Sequence, residues 1–458
     1  MRVKLDIPIS IEEICKCTKG RLYTDTSKSK YINAICTDTR ECQTGDLFIA
    51  LEGATESGEW YISDAIKKEC LALSRSAENG TVFVNDTSKA LLNIAKMYKK
   101  RIAPKYTVAV TGSVGKSTTV RFVSTVLSQK YKVHSPNGNY NNHIGVPLTV
   151  LSMPRDTEVL VLELGMNHKN EISLLSKCAI PDIGIITTIG TAHIGNLGSR
   201  EEIALAKLEI LDGMNRGKLL LPYGEPLLSK TDSAIFVGRN SSLSDFSLND
   251  SGDSYSFQSD DTYIDGIEFF DSREHILYNL AFAIAAAELL GLSKEDIING
   301  VKAITPSNLR QRFIELPDFT IFDDSYNASL ESISTDLKYI SSIKKPTGAF
   351  LGDILELGDN TAHIHRQIGR IAADLKIGHL YLYGEYANYI ADGALEAGMN
   401  KDNIYINTDI SSVDTSISQI KNHHSDKEVI LFKASHKLRL DKIADMIENE
   451  ERINNEQH

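Results

Sequence analysis

The chain has 458 residues, with 49 Lys and Arg against 61 Asp and Glu and a formal net charge of −12. That length exceeds what one hydrophobic core serves and fits about three domains at roughly 150 residues each. The acidic balance excludes nucleic acid as the main partner, because a phosphate-binding face needs clustered Lys and Arg. Six cysteines (Cys15, Cys17, Cys36, Cys42, Cys70 and Cys178) form neither a C-x-x-C pair nor a zinc-like spacing, so reduced thiols in a cytoplasmic protein are expected. The first residues lack an apolar core of signal-peptide length. The most apolar stretch, 276–292, carries Tyr278, Asn279 and Glu288, and so reads as a buried helix and not a membrane span.

Residues 1–105 read as a small α/β unit. Asp38 and Arg40 lie in a Thr-Asp-Thr-Arg run, and a Gly45–Asp46 turn leads into a short apolar strand at 47–51. A helix is expected over 61–70, a strand over 81–84 and a closing helix over 88–101, with Pro104 at the boundary.

Residues 106–305 open on an apolar β-branched strand at 107–110, a loop built on Gly112 and Gly115, and a helix that starts at Lys116, Ser117 and Thr118. A strand, a Gly-rich turn and a helix N-terminus form a phosphate cradle, because free backbone N–H groups and the helix dipole both favour an anion. Lys116 would reach the outer phosphates and the Ser117 hydroxyl a Mg²⁺ ion. The usual phosphate loop has Gly six positions before the Lys; here that position is Val110. Further strands are expected at 159–164, 183–189 and 218–221, with a helix at 201–211. Such alternation gives a mostly parallel sheet, whose ligands bind at the carboxyl ends of the strands. Glu163 and His193 both fall on that edge, either as solvated strand ends or as metal ligands. The stretch 241–266 has six Asp and no Lys or Arg and reads as short edge hairpins around Tyr255, Phe257, Tyr263 and Ile264. The helix 276–290 is apolar on nearly all sides and packs inside.

Residues 306–458 read as a second parallel α/β unit. Strands are expected at 319–322, 348–351, 380–383, 403–406 and 429–432, with helices at 331–342, 361–374, 385–397, 411–421 and 437–449 and a frayed charged tail after Glu448.

Several of these runs resemble the Mur ligase family. Residues 111–118, Thr-Gly-Ser-Val-Gly-Lys-Ser-Thr, are similar to its ATP loop. Residues 139–149, 163–172, 191–193 and 198–207 resemble its further central motifs. Residues 324–328 and 351–358, with His365, are most similar to the members that add D-alanyl-D-alanine to UDP-N-acetylmuramoyl-tripeptide. The resemblance implies a three-domain α/β architecture: an N-terminal domain for the UDP end (1–105), a central parallel-sheet ATPase domain (106–305) and a Rossmann-like C-terminal domain for the incoming amine (306–458). It implies an ATP- and Mg²⁺-dependent amide ligase, monomeric, acting through an acyl phosphate. The carboxylate and the γ-phosphate are both anionic, so concentrated positive charge must bring them together.

By the same resemblance, Thr111, Gly112, Ser113, Gly115, Lys116, Ser117 and Thr118 hold the phosphates. Glu163 and Ser117 lie near one Mg²⁺ and His193 near a second, which Lys207 helps bind as a carbamate. Read without the resemblance, Lys207 is a surface helix lysine among glutamates. His275 and Asn279 match the adenine side, Asp324 the ribose contact and Arg312 an arginine that approaches the phosphates on closure. Asp38 and Arg40 match the UDP end. Asn141, Asn142, Tyr326 and Asn327 match substrate positions. The chain departs from the family pattern at Thr187–Thr188, Ile276, Ser329–Leu330, Ala434, His436, Ser57–Glu59 and 221–225. These departures fall mostly where adenine, the UDP-sugar or the amine would be contacted. A ligase for a different acid or amine, or a nucleotide-binding regulatory module, therefore stays open beside the first reading.

Overall fold

The computed structural model describes residues 1–24, 30–53, 55–306 and 311–456, with side chains up to residue 450. Three sheets follow one another along the chain. In the first, strands run in the order Arg2–Ser10, Tyr31–Cys36, Leu47–Ile49, Leu71–Ser74, Thr81–Phe83 and Arg21–Tyr23, parallel except at its two edges. The edge strand Arg2–Ser10 escapes the sequence reading although Val3, Leu5 and Ile9 alternate into the core.

The second sheet has nine strands. The strand Tyr106–Thr111 lies between Val159–Glu163 and Ile183–Ile186, all parallel, and a meander over 246–267 closes the far edge. Register is what builds the site: Val110 sits opposite Glu163, and Thr111 opposite Ile186. The period-2 pleat sends Val108 and Val110 to one face, where the helix Glu274–Leu289 packs, and Ala109 to the other. The third sheet is parallel apart from Arg312–Glu315, an antiparallel edge strand that the sequence reading lacks. The last helix, Leu440–Glu456, runs past the point where fraying is expected.

The first two units share one core. The helix Thr87–Ile102 is capped at its start by Asp86, whose carboxylate accepts the Lys89 N–H at 2.9 Å. It buries Leu91, Ile94, Ala95 and Tyr98 in the same apolar cluster as Leu148, Val150 and Leu175 of the central unit. Its last turn supplies Lys99, whose ammonium donates to the carbonyls of Ala179 and Ile180, where the helix Glu171–Ala179 leaves its carbonyls without helical partners. The C-terminal sheet is covered by separate clusters, and Ile194, which opens the short helix Ile194–Leu197, packs against both the central core and the C-terminal one. Two units thus form one platform and the third a separately cored body.

Among the described residues no helix is long and apolar enough to cross a membrane. Truncating Ile94 to Ala is expected to cost about 2–5 kcal/mol. Hydrogen exchange should then accelerate in both Tyr31–Cys36 and Val159–Glu163 while Glu428–Lys433 is spared.

Candidate functional site

The loop after Tyr106–Thr111 is shaped by two glycines. Gly112 has φ +146°, and a β-carbon there would fall 1.9 Å from Thr187 Oγ1. Gly115 has φ +88° and leaves no room for a side chain against Asn279. The loop is tied down from the neighbouring strand end. Ser113 N donates to Thr188 O at 3.0 Å, Val114 N to Thr188 Oγ1 at 2.9 Å, and Gly190 N to Ser113 Oγ at 2.9 Å. Thr188, a departure from the family pattern, thus acts through its hydroxyl as the acceptor for the loop.

Around this loop the expected phosphate and metal residues converge. Lys116 Nζ folds back to Gly112 O at 2.8 Å. Ser117 Oγ donates to Glu163 Oε2, and Asn141 Nδ2 donates to Glu163 Oε1 at 2.8 Å, so both oxygens of this buried carboxylate are held. Lys207 is 2% exposed, not a surface lysine. Burial pushes its pKa well below the ordinary lysine value, and repulsion from Lys116 pushes the same way. His193 adopts φ +64° and places Nδ1 2.5 Å from Glu356 Oε2. Burial lowers its pKa; Glu356 opposes that, while Lys116 and Lys207 add to it.

These groups suit a magnesium nucleotide. Mg²⁺ binds through one or two carboxylates together with substrate phosphates and waters. Among the described residues no set of three His, Cys, Asp or Glu could hold a metal by itself. Glu163 with Ser117 could supply one side, and a carbamate on Lys207 would give the His193 side the carboxylate it lacks.

A cavity of about 450 Å³ opens beside the loop, lined by Val114 and Gly115 on one wall and by Tyr326, Asn327 and Ser329 on the other. His275 lines it too, and its buried Nδ1 has no hydrogen-bond partner among the described residues, an orphan that a ligand in the cavity would satisfy. Asn279 Oδ1 accepts from Thr119 Oγ1 at 3.1 Å and stands against Gly115.

Other expected residues are placed differently. Arg312 does not reach the loop. It lies in a neighbouring groove with Arg121 and His436, its guanidinium held by Asp323 at 2.7 Å and Asp445 at 2.5 Å. Asn142 Oδ1 accepts from Ile144 N and Gly145 N at 3.0 and 2.9 Å, just ahead of the helix Gly145–Leu151. Tyr326 and Asn327, assigned to substrate, line the nucleotide-side cavity, and the Tyr326 ring packs on His436. Asp38 and Arg40 pair at 2.5 Å on the N-terminal unit, away from this cavity.

Asp324 lines the cavity as expected but is not free. Lys433, Gln311 and Asp336, none of them an expected site residue, surround it. Burial raises the Asp324 carboxyl, and the Lys433 ammonium together with hydrogen bonds to Asp336 and Gln311 more than offsets this, leaving it below its ordinary value. Asp336 shares that one cation at 2.9 Å and is pushed up to about 8, chiefly by burial. The sequence signal for Lys433 was its place at the end of the strand Glu428–Lys433.

A Gly-shaped phosphate loop at the carboxyl edge of a parallel sheet, with a cavity shared between two α/β bodies, defines a phosphate-loop protein of the ligase type. Residues 110–287 match the model of the Mur ligase middle domain. The UDP-N-acetylmuramoyl-tripeptide–D-alanyl-D-alanine ligase of Bacillus subtilis is 35% identical over 96% of this chain and 98% of its own length. That of Synechocystis is 32% identical over 91% and 92%. A crystal structure of MurF from Acinetobacter baumannii superposes with a TM-score of 0.87 at 26% identity, covering 98% of this chain and all of that one. The chain belongs to the Mur ligases, in the MurF family of tripeptide–D-alanyl-D-alanine ligases.

The neutral state of His275 has a measurable consequence. Burial lowers its pKa from 6.5 to about 4, so between those values the unfolded chain binds more protons than the folded one. Folding stability is then fully present above pH 6.5 and falls as pH drops towards 4, by up to about 3 kcal/mol. In urea unfolding at pH 7 and pH 4.5, His275→Gln should lose less stability on acidification than the parent chain.

Proposed function

We propose that this chain joins D-alanyl-D-alanine to UDP-N-acetylmuramoyl-tripeptide, forming ADP and phosphate, as a monomeric cytoplasmic enzyme. The observation that carries this reading is the gathering of Lys116, Ser117, Glu163, Lys207 and His193 at one sheet edge, in a chain that matches enzymes of that name along nearly its whole length. In this reading residues 1–105 hold the UDP end, 106–305 bind ATP and 306–458 hold the incoming amine.

A terminal carboxylate oxygen of the tripeptide attacks the γ-phosphorus of ATP, and the bond to ADP breaks. The dipeptide nitrogen then attacks the acyl carbon, phosphate leaves with the bonding pair, and the amine proton passes to solvent. Bound Mg²⁺ would neutralise phosphate charge during the first step. The chain's own residues set the geometry. The backbone N–H groups at the start of the helix Lys116–Leu127 cradle the phosphates, and Lys116 places a cation between two anionic reactants. Asn141 and Ser117 fix Glu163, and so the metal position that Glu163 defines, before substrate arrives. A neutral Lys207 amine is the form that reacts with CO₂: its nitrogen bonds to the carbon and releases one proton, leaving a carbamate that would be the carboxylate-like ligand the His193 side lacks. Arg312 would have to leave Asp323 and Asp445 to approach the phosphates. Closure of the facing walls over the cavity would exclude water from an acyl phosphate that would otherwise hydrolyse.

Phosphate release from ATP should require both UDP-N-acetylmuramoyl-tripeptide and D-alanyl-D-alanine, with a product heavier than the acid by one dipeptide less water. Release that depends on the acid but not on this dipeptide directs the assignment to another amine.

A further inference from the structure

The loop that carries His193 belongs to the central unit, yet it is gripped from the C-terminal unit by two carboxylates. Glu331, in the first turn of the helix Leu330–Ser341, accepts from Thr191 N at 2.8 Å and from Thr191 Oγ1 at 3.1 Å. Glu356 places Oε2 against His193 Nδ1, and its backbone carbonyl accepts from Gly195 N at 3.0 Å. The two grips stand on either side of Ala192, two residues apart in the loop.

Both partners of the central contact are strained. His193 has φ +64° and Glu356 φ +63°, left-handed values that cost a residue with a β-carbon roughly 1–2 kcal/mol. Such strain persists where the surrounding structure over-determines it, and it clusters at functional sites. Here the loops also meet backbone to backbone. A β-carbon on Gly195 would stand 2.6 Å from both Glu356 O and Gly358 N, atoms that cannot swing aside as a side chain can. Gly195 is therefore required for the two units to dock as they do.

We propose that Glu356 and Glu331 are positioning residues that make the metal-side histidine depend on docking of the C-terminal unit. This rests on the reading above that His193 holds Mg²⁺. A carboxylate on one ring nitrogen fixes the tautomer and orientation of an imidazole and raises its basicity towards a metal on the other. Here that carboxylate, Glu356, comes from the C-terminal unit, and Glu331 of the same unit holds the loop in place. With the units apart, His193 loses its orienting carboxylate and the metal on that side is weakly held. With the units docked it is held tightly. Metal retention is thereby tied to the docked arrangement of the two units, and release to their separation.

The test uses the full chain with ADP and Mn²⁺ as a spectroscopic stand-in for Mg²⁺, with no turnover. Mn²⁺ affinity is read by electron paramagnetic resonance and the domain arrangement by small-angle X-ray scattering. Glu356→Ala should weaken one Mn²⁺ site by about 10–100-fold, the range for loss of an outer-shell partner. Gly195→Ala leaves every polar side chain in place, so it should weaken the same site and also enlarge the radius of gyration. Thermal unfolding should confirm that both variants are folded. Glu331→Gln should act in the same direction, more weakly. Wild-type Mn²⁺ affinity in Glu356→Ala and Gly195→Ala, beside a loss in His193→Ala, would overturn the coupling and leave the metal reading standing. Unchanged affinity in His193→Ala would remove the metal reading and this inference with it.

Discussion

A lysine amine buried to 2% exposure beside a second lysine is the constraint on which the site depends. Burying a charged ammonium without a partner costs several kcal/mol. The fold tolerates Lys207 because both burial and Lys116 favour its neutral form. The neighbouring charges fit the same logic. Glu163 has both oxygens engaged, and His193 is drawn to Glu356, so neither is left to compensate Lys207 by direct pairing. The tilt towards a neutral amine at this position leaves the loop's cationic character chiefly to Lys116.

Architecture explains how such a crowded arrangement is kept rigid on one side and adjustable on the other. The N-terminal and central units share a core across the helix Thr87–Ile102, so the phosphate loop sits on a platform about 300 residues long. The third unit has its own cores and meets the platform through polar contacts, the side chain of Ile194 and the Arg273 guanidinium, which lies over the rings of Phe322 and Tyr339. Polar, glycine-sealed contacts can part without exposing a large apolar surface, which apolar packing of the same area could not. The cluster of Lys433, Asp324, Asp336 and Gln311 adds a second polar wall, two carboxylates and an amide around a single ammonium.

Much of this was legible in the sequence because the signals were local. The phosphate loop needs a strand, two glycines and a helix start within a dozen residues, and the strands of the last unit are apolar runs punctuated by helical periods. Lys207 was not legible from spacing: among glutamates on a short helix it reads as solvated, and only the resemblance pointed elsewhere. The strand Arg2–Ser10 was missed because Pro8 interrupts an otherwise alternating run. Glu331 and Glu356 escaped for a different reason. Their partners lie 140 and 163 residues away, and nothing in local composition records a contact that forms when two separately folded bodies meet. Arg312 shows the converse. A pattern match names the residue but not its partners, and the carboxylates of Asp323 and Asp445 decide where the guanidinium rests.

The most direct measurement is ¹³C NMR of the protein equilibrated with ¹³C-labelled bicarbonate. A neutral, enclosed Lys207 predicts a carbamate resonance in the wild-type chain that vanishes in Lys207→Ala and persists in Lys116→Ala. A folded wild-type chain with no such resonance, or a resonance that survives in Lys207→Ala, would contradict the account.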